Sequence, residues 1–219
     1  MIKHLAITQR VIRNDTYIEI RDALSHDWLK YLSVTLPDTL VLPVANIPEH
    51  VDKLFSEIKI DGVLLSNGND WGDSLERDET ETILFKKCRQ EKTPVLGICR
   101  GFQAINIMMG AKIEPEIKQV SNQSHVSCQH PVSIIDNGFQ QLFGEEEITV
   151  NSYHNQGIVK DGLAPDLIAF AMAEGGVVEG FYHRSEPILA VQWHPERASP
   201  STKFNQKLVE KFFEEGAWW

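Results

Sequence analysis

The sequence predicts an α/β fold with a mainly parallel central sheet, helices on both faces and a small antiparallel extension. Two observations lead to this prediction. In the first half, short and continuously apolar runs alternate with segments of helical periodicity, as in sheets that are covered on both faces. In the second half, strand-like runs follow one another through turns, which indicates antiparallel pairing: HPVSII, EITVNSY, LIAFAMAE, VVEGFYH and ILAVQWH.

The predicted elements follow the chain in order. LAIT is a short strand, and the polar stretch QRVIRNDTYIEIRD separates it from a helical pattern through ALSHDWLKYL. TLVLPVA is a strand, EHVDKLFSEI a helix, DGVLLS a buried strand and DETETILFKKCRQE an amphipathic helix. PVLGIC is the next buried strand, and RGFQAINIMM is a helix that ends at Gly110. The final SPSTKFNQKLVEKFFEE begins with capping residues and continues as an amphipathic helix.

Length and composition narrow the class of protein. The 219 residues suit a single domain over 1–219, and 42% hydrophobic with 24% charged residues is ordinary for a globular protein. The net charge of −10 argues against a nucleic acid or an anionic membrane as partner. Three cysteines, no signal-like N-terminus and no long apolar stretch predict a cytoplasmic protein with free thiols.

Cys99 ends the apolar run PVLGI and directly precedes a helix. Ligands of parallel sheets gather at the carboxyl ends of the strands, so this position suits a functional side chain. Gly97 and Gly101 complete a G-x-C-x-G pattern, the cysteine form of a strand–nucleophile–helix turn, in which glycines allow close approach. The pattern alone leaves two interpretations open, a nucleophile at a helix N-terminus or a core cysteine at a tight packing point.

A base and an orienting group occur at another strand end, in LAVQWHPE. His194 and Glu196 are two residues apart, so an extended segment directs both side chains to one side, where the carboxylate can hold the imidazole. Alone, such a pair is typical of a solvated loop; together with the cysteine turn it indicates nucleophilic catalysis. Gly68, in LLSNGND after another buried strand, and the backbone N–H of Arg100 are the predicted oxyanion donors.

PVLGICRGFQ, VNSYHNQGI and LAVQWHPE together resemble the class I glutamine amidotransferase superfamily, over nearly the whole chain. The resemblance implies a flavodoxin-like fold, with Cys99 as nucleophile, His194 as general base and acid, and Glu196 as orienting carboxylate. It implies an oxyanion hole from the backbone amides of Gly68 and Arg100, and no cofactor. Positions that hold the glutamyl part of the substrate in the family correspond to Gln103, Tyr153, His154, Asn155 and Gln156.

Two activities compete within this superfamily. Amidotransferase subunits release ammonia for a synthetase partner, whereas stand-alone γ-glutamyl hydrolases cleave a γ-glutamyl amide. The chain carries no synthetase domain and resembles the hydrolase branch of the peptidase C26 type, which includes γ-glutamyl-γ-aminobutyrate hydrolase. It departs from that branch where Asn67 and Asn69 replace glycines, which leaves the loop geometry open, although asparagine tolerates positive φ. A non-catalytic binding module is a third, disfavoured interpretation, because all the catalytic residue types are present together.

The N-terminal stretch AITQRVIRNDTYIEIRDALSHDW resembles γ-glutamyl-CDP-amidate hydrolases of capsular phosphoramidate synthesis. The resemblance implies a small-molecule substrate, a cytidine nucleotide conjugate from which loss of glutamate frees cytidine diphosphoramidate. Arg10 and Arg13 follow the first strand and are placed to meet a diphosphate, unless both are surface charges. The oligomeric state stays open.

Several other groups have simpler explanations. His125, Cys128 and His130 are ligand-type residues without a fourth ligand nearby in the sequence, so no metal is predicted. His154 is expected in a pocket or the core rather than as the base.

Asn69, Asp70 and Trp71 extend the oxyanion loop towards the pocket. Asp78, Glu79 and Glu81 are expected to form a negative helix N-terminus that faces the helix dipole. Trp218 and Trp219 either dock on the domain or contact a second copy.

Overall fold

A ten-stranded sheet and a separate hairpin organise the chain in a computed structural model, which describes residues 2–121 and 123–219. The strands are, in chain order, β1 (His4–Thr8), β2 (Arg10–Arg13), β3 (Ile20–Ala23), β4 (Leu40–Val44), β5 (Gly62–Leu65), β6 (Val95–Ile98), β7 (Val126–Ile134), β8 (Glu147–Tyr153), β9 (Ile158–Val159), β10 (Leu167–Ala173), β11 (Val177–His183) and β12 (Ile188–Val191). The α-helices are α1 (His26–Thr35), α2 (His50–Glu57), α3 (Leu75–Glu91), α4 (Arg100–Met108), α5 (Ile117–Ser121), α6 (Asn137–Phe143) and α7 (Thr202–Glu215).

The parallel half of the sheet has the strand order β4-β1-β5-β6-β12. Every residue of β5, β6 and β12 is buried, as their continuously apolar sequences predict. Ile98 at the end of β6 pairs with Val191 at the end of β12. Because these strands end side by side, the segments that carry Cys99 and His194 leave the sheet at the same edge.

Two apolar layers lie on opposite faces of this half. Alternate strand residues point to opposite sides, so Leu64 joins the layer under α1 and α7, whereas Val63 and Leu65 join the layer under α2, α3 and α4. Trp28 of α1 and Phe212 of α7 are fully buried in the first layer. The predicted mainly parallel sheet with helices on both faces is confirmed.

The antiparallel half continues the same sheet in the order β12-β11-β10-β7-β8, and β9 adds to β11. In β7 the register shifts between Val126 and Cys128, where Ser127 adopts a φ of +52°. This β-bulge reverses which side chains face inward on its two sides. Inward-facing positions are therefore even-numbered after the bulge and odd-numbered before it.

The polar stretch after β1 forms the hairpin β2–β3, which the sequence pattern did not indicate. Two asparagines fasten it to the main sheet's edge. The Asn69 side chain accepts from the Val11 N–H at 2.7 Å and donates to the Val11 carbonyl at 3.0 Å. Asn46 donates to the Asp22 carboxylate through its backbone N–H at 2.8 Å and its side-chain amide at 2.7 Å. Side-chain amides thus take the place of a strand neighbour.

The C-terminal tryptophans dock on their own chain. The Trp219 indole donates to the His183 carbonyl at 2.7 Å, and its ring lies nearly parallel to Phe212, 5° apart. Trp218 packs against Phe139 and Phe143. In the described residues, no helix is both long and apolar enough to cross a membrane.

Candidate active site

Cys99 lies in the turn between β6 and α4, with φ +52° and ψ −100°. A non-glycine residue rarely adopts this conformation, which persists only where its surroundings impose it. A Cβ on Gly101 would lie 2.0 Å from the Leu65 carbonyl oxygen, and one on Gly97 would lie 2.6 Å from Ile105 Cδ1. Both glycines are therefore required by the close approach of strand and helix, as the G-x-C-x-G pattern predicts.

His194 follows the neighbouring strand end and is held from two directions. Its Nδ1 lies 2.8 Å from Glu196 Oε1, so Nδ1 carries the hydrogen and donates it to the carboxylate. The Asn151 side chain accepts from the His194 N–H at 2.9 Å and donates to the His194 carbonyl at 2.9 Å. Both members of the His194–Glu196 pair are buried. The imidazole is thereby fixed with Nε2 free of protein hydrogen bonds in the described part of the chain.

The side chains of Cys99 and Glu196 both favour the protonated form of this imidazole. Burial by itself lowers the pKa of His194, but the interactions with Cys99 and with the Glu196 carboxylate outweigh it and raise this pKa to about 9. Among the residues that the structure describes, no well-formed hydrogen bond joins the sulfur to Nε2, and hydrogen bonds between catalytic groups often tighten only in the complex with substrate. At neutral pH the imidazole is therefore protonated.

Asn67 supports the histidine–glutamate pair. The buried indole of Trp28 donates to Asn67 Oδ1 at 3.1 Å, which directs the amide nitrogen towards the pair. That nitrogen donates to Glu196 Oε1 at 3.2 Å. The sequence suggested only that Asn67 replaces a glycine, and the contact to Glu196, 129 residues away, left no signal in the sequence.

The oxyanion loop bends at Gly68, with φ +93°, and at Asn69, with φ +22°. Gly68 and Arg100 line the same cavity as Cys99. Arg100 is the first residue of α4, so its backbone N–H has no acceptor within the helix. Both residues of the predicted oxyanion hole thus line the cavity together with Cys99, and their role as donors stays a prediction.

A buried ion-pair network lies behind the oxyanion loop. The Arg100 guanidinium pairs with Asp78 and Glu81, and Arg77 Nε donates to Glu81 Oε1 at 3.0 Å. Arg77 also donates to the carbonyl oxygens of Ser66, at 2.9 Å, and Asn67, at 3.1 Å. Burial opposes ionisation, yet Arg100 and Arg77 hold the pKa of Glu81 below its usual range.

This network corrects the expectation for the acidic start of α3. Asp78 and Glu81 are buried partners of arginines rather than simply a negative helix N-terminus, and only Glu79 is exposed. The helix dipole adds little in comparison with two direct guanidinium contacts. The partners lie 19 and 22 residues apart in sequence, so helical spacing within α3 could not identify them.

A cavity of about 270 Å³ opens over Cys99. Its walls include every predicted site residue except Glu196, which lies behind His194. Arg10, at the start of β2, is among them, whereas Arg13 is exposed and outside the walls. The predicted residues in the walls are Arg10, Gly68, Asn69, Cys99, Arg100, Gln103, Tyr153, His154, Asn155, Gln156 and His194.

Two further charged residues line this cavity. Arg197 stacks its guanidinium 4.5 Å from the Tyr153 ring centroid, and sequence reasoning missed it although it directly follows the Glu196 motif. Asp70 accepts from the Gln156 side chain at 3.2 Å. Burial, with the charge of Asp73, raises the pKa of Asp70. Trp71 does not line the cavity and instead lies 5.2 Å from the Arg100 guanidinium.

The Gln156 carbonyl oxygen accepts hydrogen bonds from two other residues of the cavity wall. It accepts from Gln103 Nε2 at 3.0 Å and from His154 Nδ1 at 2.7 Å. His154 is buried, and this desolvation lowers its pKa to about 4, so the ring is neutral. Its other nitrogen lies 3.7 Å from Glu179 Oε1. His154 is thus a buried residue of the cavity wall, and its role in substrate binding stays a prediction.

The other two thiols have different surroundings. Cys88 is buried in α3, where desolvation raises its pKa to about 12. Cys128 is half-buried and donates to the Ser124 carbonyl. Only Cys99 opens on the cavity.

Comparison with known proteins places this site in a family. The sequence model of the family Peptidase C26 matches residues 6–196. The chain belongs to the peptidase C26 family. Among curated relatives of this C26 protein, the γ-glutamyl-CDP-amidate hydrolase of Campylobacter jejuni is 34% identical, over 95% of this chain and 96% of that one. The glutamine-hydrolysing GMP synthase subunit of Thermoplasma acidophilum is 33% identical, over 76% of each chain.

Solved structures confirm the fold predicted for this C26 protein. A putative GMP synthase subunit from T. acidophilum matches with a TM-score of 0.72 at 23% identity, over 98% of this chain and 94% of that one. A glutamine amidotransferase from Thermotoga maritima matches with a TM-score of 0.65 at 13% identity, over 98% and 84%. The C26 protein therefore has the class I glutamine amidotransferase fold and is a hydrolase of that superfamily.

Proposed function

We propose that this C26 protein is a cysteine-dependent γ-glutamyl hydrolase that converts γ-glutamyl-CDP-amidate to L-glutamate and cytidine diphosphoramidate. The observation that supports it best is the meeting of Cys99, His194 and Arg10 in one cavity, with Glu196 behind His194. The similarity to a γ-glutamyl-CDP-amidate hydrolase extends over nearly the whole of both chains. The product would serve phosphoramidate modification of a capsule or surface polysaccharide, made in the cytoplasm.

The proposed reaction begins from the Cys99 thiolate with His194 protonated. The sulfur attacks the γ-carbonyl carbon, and the backbone amides of Gly68 and Arg100 donate to the oxyanion that forms. His194 then gives its proton to the departing nitrogen, which leaves as the amidate, and a thioester to Cys99 remains. Water loses a proton to the same imidazole, cleaves the thioester and releases glutamate, which restores the thiolate and imidazolium.

The charges in the cavity wall suggest how the two halves of the substrate are held. Asp70, beside Gln156, is placed to accept the α-ammonium of the glutamyl group, near Gln103, Tyr153, His154 and Asn155. The wall includes Arg10, Arg100 and Arg197. Arg100 is paired with Asp78 and Glu81, so Arg10 and Arg197 are the guanidinium groups that remain for the substrate. A diphosphate would form charge-assisted hydrogen bonds with both guanidinium groups.

The direct test measures glutamate release from γ-glutamyl-CDP-amidate, free glutamine and γ-glutamyl-γ-aminobutyrate. We expect the first to be hydrolysed with the highest kcat/KM. Cys99→Ala should abolish release, at least about 10³-fold, whereas the matched variant Cys128→Ala should retain it. Arg10→Ala should raise KM for the CDP conjugate roughly tenfold and leave KM for glutamine unchanged.

Two results would contradict the proposal separately. If the protein leaves γ-glutamyl-CDP-amidate intact but hydrolyses the other amides, the substrate assignment is wrong. If Cys99→Ala keeps full turnover, the mechanism is wrong.

A glutaminase that donates ammonia to a synthetase is the second candidate. The likeness to the GMP synthase subunit of T. acidophilum supports it. In that case glutamine hydrolysis would be slow for the protein alone and would rise on addition of a synthetase. The proposed γ-glutamyl hydrolase would instead be fully active without any partner protein.

A further inference from the structure

Three histidines and one glutamate form a buried cluster behind the His154 wall of the cavity. His125 directly precedes β7, His130 lies within it, His154 follows β8, and Glu179 lies in β11. Their exposed fractions are 1%, 6%, 5% and 0% in that order. The cluster therefore consists of four polar side chains from three strands, withdrawn from water.

The tautomers of two rings are set by backbone carbonyls. His154 Nδ1 lies 2.7 Å from the Gln156 carbonyl oxygen, and His130 Nδ1 lies 3.2 Å from the Pro131 carbonyl oxygen. A carbonyl only accepts, so each Nδ1 carries a hydrogen and Nε2 is the ring atom left to act as a ligand. Both Nε2 atoms face the same oxygen, Glu179 Oε1, at 3.7 Å and 3.8 Å.

The carboxylate has no hydrogen-bond donor of its own. In the described part of the chain, both Glu179 oxygens lack a hydrogen-bond partner, and so do both ring nitrogens of His125 and the Nε2 atoms of His130 and His154. The basic groups within 4.0 Å of Glu179 among these residues are the three imidazoles, without a lysine or arginine. Buried polar atoms without hydrogen-bond partners cost free energy, and a bound cation would supply a partner for all of them.

The bulge in β7 is what brings His125 into the cluster. His130 and Cys128 point inward from even positions, so an uninterrupted strand would direct His125 outward with Ser127 and Gln129. The extra residue at Ser127 reverses this alternation, and His125 becomes buried. The bulge at Ser127, with its positive φ, is thus the local feature that places His125 beside the other three residues.

We propose that His125, His154 and Glu179, with His130 as fourth ligand, hold a divalent transition-metal ion, with zinc as the best fit. One ligand atom from each of the first three residues lies within 4.8 Å of the others. Ligands placed about 2.0–2.1 Å from a tetrahedral zinc are roughly 3.3–3.4 Å apart. The separations of 3.4, 3.7 and 3.8 Å from Glu179 Oε1 to the three rings are close to this value.

The chemistry of the cluster also suits a structural site. Imidazole and carboxylate are zinc ligands, and the carbonyl acceptors on Nδ1 of His130 and His154 are the outer hydrogen bonds that orient ligating histidines. The cluster is closed to solvent, as structural zinc sites are. Through His154 and the Gln156 carbonyl, the ion would hold the cavity wall that Gln103 also contacts.

The test uses tag-free protein purified without chelator, dialysed against zinc and then against metal-free buffer. Elemental analysis should give about one zinc per chain, and Glu179→Gln and His125→Ala should each reduce it at least tenfold. His26→Ala and His50→Ala, which remove exposed histidines, and Cys128→Ser should keep it. X-ray absorption at the zinc edge should show about four nitrogen or oxygen ligands near 2.0 Å and no sulfur.

Thermal unfolding gives an independent readout. Zinc should raise Tm of chelator-stripped wild type by several degrees and leave Tm of Glu179→Gln unchanged. Without a metal, Glu179→Gln removes an uncompensated buried charge, so its Tm should equal or exceed that of wild type. The proposal is overturned if wild type binds less than a tenth of an equivalent, or if the cluster variants bind as much zinc as wild type.

Discussion

At the scale of single residues, the carboxylate that orients His194 lies behind the cavity wall and not in it. Glu196 does not line the cavity, and it orients His194 through a 2.8 Å contact. Asn67 in turn contacts Glu196, with its orientation set by Trp28. The imidazole is therefore positioned by a chain of side chains that begins outside the cavity.

The raised pKa of His194 predicts the alkaline limit of activity. The folded value of about 9 lies above the ordinary 6.5, so the imidazolium form and its contribution to stability are present below about 6.5 and are lost as the pH rises through 9. In the proposed mechanism the imidazolium protonates the leaving nitrogen, so kcat/KM should fall above about pH 9. A pH profile of kcat/KM for wild type measures this limit.

The same profile identifies the cause of the shift. Glu196→Gln removes a carboxylate that raises the His194 pKa, so the alkaline limit should move down by roughly one unit. Glu186→Gln removes a surface carboxylate paired with Arg89 and should leave the limit in place. An unchanged limit in Glu196→Gln would contradict this account.

At the scale of elements, α3 stabilises the oxyanion loop from behind. Arg77 contacts the carbonyls of Ser66 and Asn67 and the Asn69 side chain, while its Nε pairs with Glu81. One helix turn thus fixes the backbone on which the Gly68 amide depends.

We expect Arg77→Met to lower the free energy of unfolding by about 3–5 kcal/mol, because it leaves buried polar groups without their partner. It should also reduce kcat roughly 10–100-fold, since a displaced loop donates poorly to the oxyanion.

Arg89→Met is the matched control on the same helix. It removes a partly exposed ion pair with Glu186, so it should cost at most about 1 kcal/mol and leave kcat unchanged. Urea unfolding and steady-state kinetics measure both, and equal losses in the two variants would refute the role of Arg77.

The nucleophile turn depends on the contact between α4 and β5. In Gly101→Ala the new methyl would lie 2.0 Å from the Leu65 carbonyl oxygen, so helix and strand must separate. We expect a loss of at least about 2 kcal/mol and a large fall in kcat/KM. Gly162→Ala meets its nearest atom at 3.4 Å and should change neither quantity by much. If Gly101→Ala unfolds at the same urea concentration as wild type, close approach is not what requires this glycine.

The sequence predicted those features that depend on neighbours along the chain. The turn at Cys99, the buried strands and the spacing of His194 and Glu196 all follow from local pattern. The Arg100 network, the Asn67 contact and the hairpin β2–β3 could not be predicted in this way. In the sequence, Asp78 and Glu81 resemble ordinary acidic residues at a helix start, because their partner Arg100 lies on another helix, α4. His125 lies beside His154 only because of a bulge, and no residue type in the sequence predicts that bulge.

At the scale of the whole molecule, Trp218 and Trp219 pack against the apolar layer under α7. Trp219 stacks on Phe212 and approaches Tyr182, and Trp218 covers Phe139. Neither tryptophan lines the cavity over Cys99. The C-terminus therefore contributes to stability at a distance from the chemistry.

Deletion of residues 218–219 should lower the free energy of unfolding by about 2–4 kcal/mol, because two aromatic rings lose their packing. KM and kcat of the folded fraction should not change. Ile18→Ser, at a fully exposed apolar residue, should alter stability by less than about 0.5 kcal/mol. Calorimetry with parallel kinetics tests this, and a deletion as stable as wild type would show that the docking is energetically neutral.

The hairpin β2–β3 stands outside the main sheet and is fastened to it by two asparagine side chains, yet it supplies Arg10 to the cavity. If Arg10 binds the leaving group as proposed, bond cleavage and choice of leaving group are encoded in separate parts of the chain. A hairpin of different sequence, attached at the same two points, would present a different side chain to the departing half of the substrate while the nucleophile, its base and the oxyanion donors stayed in place. New specificity in such a protein can arise by exchange of about fourteen residues, without any change in the machinery that breaks the amide.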